Sequence, residues 1–103
     1  MINSKRKGCV GEREWRDILK SFGYQARRGQ QFSGSPDSPD VVCEELPYHW
    51  EVKRVQNLNI EKAMEQAIKD CGNNIPIVAH RKNGKDWLIT MKAVDFLKGL
   101  KWK

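Results

Sequence analysis

Apolar positions follow helical spacing in some segments of the chain and strand-like alternation in others. A first helical stripe predicts a helix from about Glu12 to Phe22, ended by Gly23; its members are Trp15, Ile18, Leu19 and Phe22. A second stripe predicts a helix that Asn59 caps and residues 72–74 end; its members are Ile60, Ala63, Met64, Ala67, Ile68 and Cys71. Both helices should bury these stripes, with Trp15 as a core anchor.

Alternating and β-branched segments between the helices predict short strands. Their ranges are 24–28, 40–43, 48–55, 75–79 and 87–90. The segments 40–43 and 48–55 should pair as a hairpin with Trp50 in the core, and Asn83-Gly84 is a typical hairpin turn. A last helix is predicted over 91–99, with Val94 and Leu97 as its apolar contacts. This order predicts one α/β domain over residues 1–103, a central mixed sheet flanked by helices.

The remaining segments are polar, and composition excludes several classes of protein. Residues 1–8 are basic and are expected to form a flexible arm, while residues 29–39 are rich in Gly, Ser and Pro and predict a loop. No long apolar run exists, so we expect neither a membrane span nor a secretory signal, and a cytoplasmic location, in a host cell if a phage encodes the chain. The three cysteines are isolated from one another, so we expect neither a disulfide nor a zinc site.

Charge is distributed unevenly along the chain. Residues 1–30 hold eight bases and three acids, residues 31–60 two bases and five acids, and residues 61–103 nine bases and five acids. An acidic centre between basic flanks favours a polyanionic partner such as nucleic acid. The bases Lys5, Arg6, Lys7, Arg27 and Arg28 are interpreted as phosphate contacts, with solvated surface charge as the alternative. No base-reading element is visible, and RNA stays open beside DNA.

The acidic centre contains a pattern that suits a divalent cation. Glu51 and Lys53 share one face of the predicted strand 48–55, and the paired strand brings Asp40 to the same place. Two carboxylates and the backbone carbonyl of Val52 would form an oxygen-only site for Mg²⁺, or Mn²⁺ in its place. Such a cation neutralises a phosphodiester and activates water, and Lys53 would orient that water. The alternative is a solvated cross-strand charge pair.

In this order the motifs resemble the PD-(D/E)XK nuclease superfamily, and more fully its Holliday-junction resolvases of the archaeal type. The matching segments are GCVGER (8–13), GYQARR (23–28), SGS (33–35), PDVV (39–42) and EVK (51–53). The similarity covers about residues 5–72. A second Pro-Asp pair, Pro36-Asp37, would allow the motif aspartate to be placed three residues earlier. Only Asp40, however, is followed by apolar strand residues.

The resemblance implies a restriction-endonuclease-like core and assigns site residues. By this match Asp40 and Glu51 are metal ligands, Lys53 is the catalytic lysine, and Glu12 is an additional helix carboxylate near the metal. The first helix alone does not distinguish Glu12 from Glu14, because both flank the apolar stripe. Ser33 or Ser35 corresponds to a loop serine near the cleaved phosphate. Members of the family commonly act as symmetric homodimers.

Three functions follow as hypotheses. The first is a Mg²⁺-dependent endonuclease that cuts DNA at branched structures, as Holliday-junction resolvases do. The second is a general nuclease of phage or mobile-element DNA processing, acting on flaps or duplex. The third is a non-catalytic nucleic-acid-binding module with a structural acidic cluster. Three interpretations of Trp102 stay open: it packs at a dimer interface, it stacks on a base, or it belongs to a disordered end.

Overall fold

The computed structural model describes residues 4–29 and 40–100, with side chains from residue 10 onward. Its helices are α1 (Ser4–Ser21), α2 (Ile60–Asp70) and α3 (Ala93–Gly99). Its strands are β1 (Arg27–Arg28), β2 (Val41–Val42), β3 (Tyr48–Arg54), β4 (Ile75–Arg81) and β5 (Leu88–Met91). The five strands form one sheet in the order β1-β2-β3-β4-β5. Only β3 and β4 are parallel; the other neighbours are antiparallel. The predicted fold class, a mixed sheet flanked by helices, is confirmed.

Helix α1 packs on one face of the sheet around three tryptophans. Trp15 lies 5.2 Å from Trp50 and 5.3 Å from Trp87, measured between ring centroids. Leu19 on α1 and Val52 on β3 are buried in the same cluster. The predicted core positions of Trp15 and Trp50 are therefore confirmed. Removal of such a buried aromatic side chain typically costs about 3–5 kcal/mol.

Helix α2 covers the opposite face and connects the two parallel strands. Asn59 caps it as predicted, because its side chain accepts a hydrogen bond from the Lys62 N–H at 3.1 Å. The small side chains of Ala63 and Ala67 let the helix approach Val78 of β4 closely. Gly72 follows the helix with a φ of +56°. This left-handed conformation lets the chain turn directly into β4.

Three parts of the predicted pattern differ in the structure. Helix α1 begins at Ser4, so residues 4–8 belong to a helix and not to a flexible arm. Phe22 is 77% exposed, because the helix ends at Ser21 and the chain turns away through Gly23 at φ +95°. Val94 and Leu97, the expected contacts of the last helix, are both more than half exposed.

Within the described residues, no helix is long and apolar enough to cross a membrane.

Candidate active site

Asp40 is held at the start of β2 by its backbone and its side chain. Its N–H donates to the Trp50 carbonyl at 3.0 Å, and its own carbonyl accepts from the Gly29 N–H at 2.9 Å. Its carboxylate accepts a hydrogen bond from the Val52 N–H at 2.8 Å. Because N–H and C=O of one strand residue point to the same side, the Val52 carbonyl faces this edge of β3 as well.

Glu51 and Lys53 lie on β3, on either side of Val52 in the sequence. Glu51 is only 8% exposed and lies in register with the fully buried Val78 of β4. The Lys53 ammonium lies 3.3 Å from the Glu51 carboxylate, and its side chain is about one-third exposed. Glu51 is thus not part of a solvated charge pair. One acid is buried, and its partner amine reaches solvent.

Glu12 lies on α1, where the charges of Asp40 and Lys53 act on it. Arg28 of β1 contacts a single Glu12 oxygen with two nitrogens, at 3.0 and 3.1 Å. Glu12 is 9% exposed, so this charged contact is largely withdrawn from water.

The charges of these carboxylates act on one another. Burial raises the pKa of Glu51, and the negative charge of Asp40 raises it further, while Lys53 lowers it. Burial likewise raises the pKa of Glu12, with Asp40 again the next cause and with Arg28 and Lys53 opposing. Asp40 therefore acts on both glutamates, and Lys53 acts on both as well.

Two further residues lie near this cluster and were not assigned from the sequence. Asp70, at the end of α2, makes a smaller contribution to the raised pKa of Glu51, after burial and Asp40. His80 of β4 is in register with Lys53, and its Nε2 lies 2.9 Å from the Thr90 hydroxyl. Neither position carries a local sequence signal, because only the pairing of β3 with β4 and the crossover through α2 bring them close.

Glu14 has a different role from Glu12 in the structure. Its carboxylate lies 3.2 Å from Arg54 and 2.8 Å from Arg81, at the ends of the two parallel strands. These ion pairs fasten α1 to β3 and β4. Of the two helix acids that the sequence left open, Glu12 is therefore the one beside Asp40, while Glu14 serves the packing of the helix.

Among the predicted phosphate-binding residues, the structure describes the side chains of Arg27 and Arg28. Arg27 is largely exposed and lies 3.9 Å from Glu44, whereas Arg28 contacts Glu12. Ser33 and Ser35 lie outside the described residues, as does Trp102. Lys5, Arg6 and Lys7 belong to the first turns of α1, and their side chains are likewise outside what the structure describes.

The donor atoms of this cluster suit a hard divalent cation. Asp40, Glu51 and the Val52 carbonyl supply oxygen only. Burial first, and the negative charge of Asp40 second, raise the pKa of both glutamates. Among the described residues, however, no three acid, histidine or cysteine side chains form a ready-made cation cage. Arg28 and Lys53 occupy part of the space around the glutamates and balance their charge instead.

Comparison with known proteins finds a similar fold among the solved structures. No protein-family model matches the chain, and no curated protein does. Among solved structures, it is similar to Hjc, a Holliday junction resolvase from the archaeal hyperthermophile Archaeoglobus fulgidus, with a TM-score of 0.59 and 24% sequence identity. The match covers 78% of this chain and 72% of that chain. The chain therefore shares the fold of that resolvase.

Proposed function

We propose that this protein is a Mg²⁺-dependent endonuclease of the PD-(D/E)XK type that hydrolyses DNA phosphodiester bonds at branched structures. One observation supports this above all. In the fold that the chain shares with a Holliday junction resolvase, Asp40 lies close enough to Glu51 and Glu12 to raise the pKa of both, beside Lys53. These are the side chains that metal-assisted phosphodiester hydrolysis needs.

Each side chain has a distinct role in this proposal. Asp40, Glu51 and the Val52 carbonyl would hold Mg²⁺, with Mn²⁺ as a substitute, and Glu12 would complete the set of oxygens. The cation supplies neutralisation of the phosphate and a more acidic water. The Lys53 ammonium, 3.3 Å from Glu51, donates a hydrogen bond to the attacking water and stabilises the charge that develops on the phosphate.

The basic residues around the cluster would hold the DNA backbone. Arg27 is exposed and can contact a phosphate directly. Arg28 lies between Glu12 and the surface, one-third exposed, so it can contact both the site and the strand to be cut. Lys5, Arg6, Lys7, Ser33 and Ser35 are proposed as further contacts. We propose that two copies act together as a homodimer, since a branched substrate has two strands to cut.

The proposal is tested by nicking of a four-way DNA junction with and without Mg²⁺. Glu51→Gln and Lys53→Ala should each lower the rate by at least about a hundredfold, the scale of a positioned proton-transfer or charge-stabilising group. Glu65→Gln on α2 is the matched control, because Glu65 is exposed and lies outside the site. Circular dichroism and gel-shift binding should be unchanged in all three variants.

Substrate comparison separates the proposal from its alternatives. Faster cleavage of the junction than of flap, linear duplex or an RNA junction supports branched DNA. Equal cleavage of flap and duplex would indicate a general DNA-processing nuclease. Salt-sensitive binding without cleavage in Mg²⁺ or Mn²⁺ would indicate a binding module. Wild-type rates in both Glu51→Gln and Lys53→Ala would show that the assigned site is wrong.

A further inference from the structure

A pocket lies between α1 and the turn that joins β4 to β5. Its volume is about 430 Å³, within the range of about 300–1,000 Å³ that is usual for small-ligand sites. From α1 it is lined by Glu14, Asp17 and Ile18, whose spacing of three and four residues places them on one face of the helix. None of the lining residues belongs to the candidate active site. The proposed function therefore leaves this pocket without a role.

Part of the pocket lining is apolar and aromatic. Trp87 and Ile18 both line the pocket, and both are partly buried against the core cluster that contains the other tryptophans of the sheet. The Trp87 ring lies 5.3 Å from the ring of the buried Trp15, measured between centroids, so the core holds Trp87 in place. An indole ring held in this way is a stacking surface for a planar aromatic group.

The ion pairs around the pocket leave it with an excess of positive charge. Glu14 is shared by the guanidinium groups of Arg54 and Arg81, so these three side chains together carry one net positive charge. Asp17 pairs with Arg16 at 2.9 Å and adds no net charge. The remaining base and acid of the lining, both in the turn, cancel each other. The pocket therefore favours a ligand that carries negative charge.

Two bases of the lining can hold an anionic group. Nη1 of Arg81 donates to Glu14 at 2.8 Å, and its Nε donates to the Lys85 carbonyl at 2.7 Å. A guanidinium has five N–H donors, so this anchoring leaves others for a ligand. The side chains of Lys85 and Asp86 form no ion pair within the part of the chain that the structure describes. An arginine next to a lysine suits a phosphate, and Asp86 can accept a hydrogen bond from the same ligand.

We propose that this pocket binds a nucleotide whose base is not paired. The base stacks on Trp87, and its amino group donates to Asp86, as cytosine does to carboxylates in DNA recognition. The phosphate lies against Arg81 and Lys85. An aromatic amino acid would stack in the same way, but its single carboxylate has less charge to offer the two bases. A free mononucleotide and an unpaired nucleotide within a nucleic acid share this chemistry.

Titration with deoxycytidine monophosphate in metal-free buffer, followed by the indole N–H signals in NMR spectra, tests the pocket. The Trp87 signal should shift on binding. Trp87→Leu should lower the affinity by about fivefold or more, and Lys85→Ala by about threefold or more. Lys82→Ala is the matched control, because Lys82 is an exposed lysine of the same turn that does not line the pocket, and it should keep wild-type affinity. Lys85 is exposed, so its variant keeps the test valid if Trp87→Leu does not fold.

Two DNA duplexes identify the source of the nucleotide. Tighter binding of a duplex with one unpaired cytidine than of the fully paired duplex, lost in Lys85→Ala, assigns the pocket to nucleic acid. Binding of deoxycytidine monophosphate without that difference assigns it to free nucleotides. Absence of binding, equal affinity for L-tryptophan, or wild-type affinity in both Trp87→Leu and Lys85→Ala would overturn the inference. Cleavage is not the readout, so a protein that binds the nucleotide but cannot cut DNA contradicts only the nuclease, and the reverse result contradicts only the pocket.

Discussion

Burial of Glu51 works against the stability of the folded chain. Its raised pKa means that the folded protein binds a proton at this carboxyl more tightly than the unfolded chain does. Stability from this group is therefore full below its unfolded pKa, near 4.5, and is lost as pH rises through the folded value. Burial and Asp40 disfavour the charged form of Glu51 in the folded chain, and Lys53 offsets this only in part.

We expect Glu51→Gln to raise the free energy of unfolding at neutral pH in metal-free buffer. The amide is close in shape to the carboxyl and carries no charge to desolvate, so the gain should shrink as pH falls below 4.5, where wild-type Glu51 is protonated. Urea unfolding at both pH values measures this difference. Glu65→Gln, at an exposed site, should show no such pH-dependent gain. A Glu51→Gln protein less stable than wild type at neutral pH would contradict the argument.

Among the elements, α1 approaches β3 at a point where only glycine fits. A Cβ on Gly11 would lie 2.9 Å from the Arg54 Cβ and 3.7 Å from a methyl of Val52. The Arg54 Cβ is attached to the backbone and cannot swing away, so the helix or the strand must move. Glu12, the next residue, would move with the helix, away from its place beside Arg28. Gly11 thus sets the distance between the helix acid and the strand acids.

Gly11→Ala should destabilise the protein by about 1–3 kcal/mol, the usual cost of an overpacked core. This outcome is opposite to helix propensity, which favours alanine over glycine by about 1 kcal/mol. Gly99→Ala is the control, since nothing lies within 4 Å of its added Cβ. It should be neutral or stabilising. Urea unfolding measures both variants, and a Gly11→Ala protein as stable as wild type would show that the close contact is not limiting.

The elements show where sequence reasoning succeeds and where it stops. Strands β3 and β4 and the cap of α2 were predictable, because the alternation of 48–55, the apolar run 75–79 and an Asn cap are local signals. The early start of α1 was not, since residues 4–9 carry no large apolar side chain and periodicity has nothing to measure there. The contacts expected of Val94 and Leu97 were wrong for a different reason. Periodicity identifies an apolar side but does not tell which partner covers it.

The residues of the candidate site were likewise predictable only in part. Asp40, Glu51 and Lys53 could be brought together in advance, because a short hairpin and the two-residue period of a strand fix their relation. Glu14 could not be separated from Glu12, because its partner Arg81 lies 67 positions away along the chain. That contact depends on the parallel pairing of β3 with β4, which no local pattern specifies.

At the scale of the whole molecule, the chain joins a well-paired centre to a weakly paired flank. β3 and β4 are in register over seven residue pairs, whereas β1 and β2 have two residues each and β2 meets β3 at a single pair, Val41 with Trp50. Glu51 and Lys53 belong to the centre, while Asp40 belongs to the flank. The cluster is therefore assembled from parts of unequal stability.

Native-state hydrogen exchange should reveal this inequality. The Val52 amide donates to the Asp40 carboxylate, so we expect it to exchange faster than the amide of Val78 in the middle of the sheet. Asp40→Ala should accelerate exchange at Val52 further and leave Val78 nearly unchanged. Equal protection of both amides in the wild-type protein would show that flank and centre open together.

From the two-residue length of β2 we expect the cluster to have an opening equilibrium of its own. If the flank detaches while the centre stays folded, Asp40 is docked against β3 for only a fraction of the time. Any activity of the cluster that requires the docked Asp40 is then reduced to that fraction. A strand of nucleic acid that bridges Arg27 and the centre would raise the docked fraction by mass action. Substrate binding and site completion would then be one coupled event.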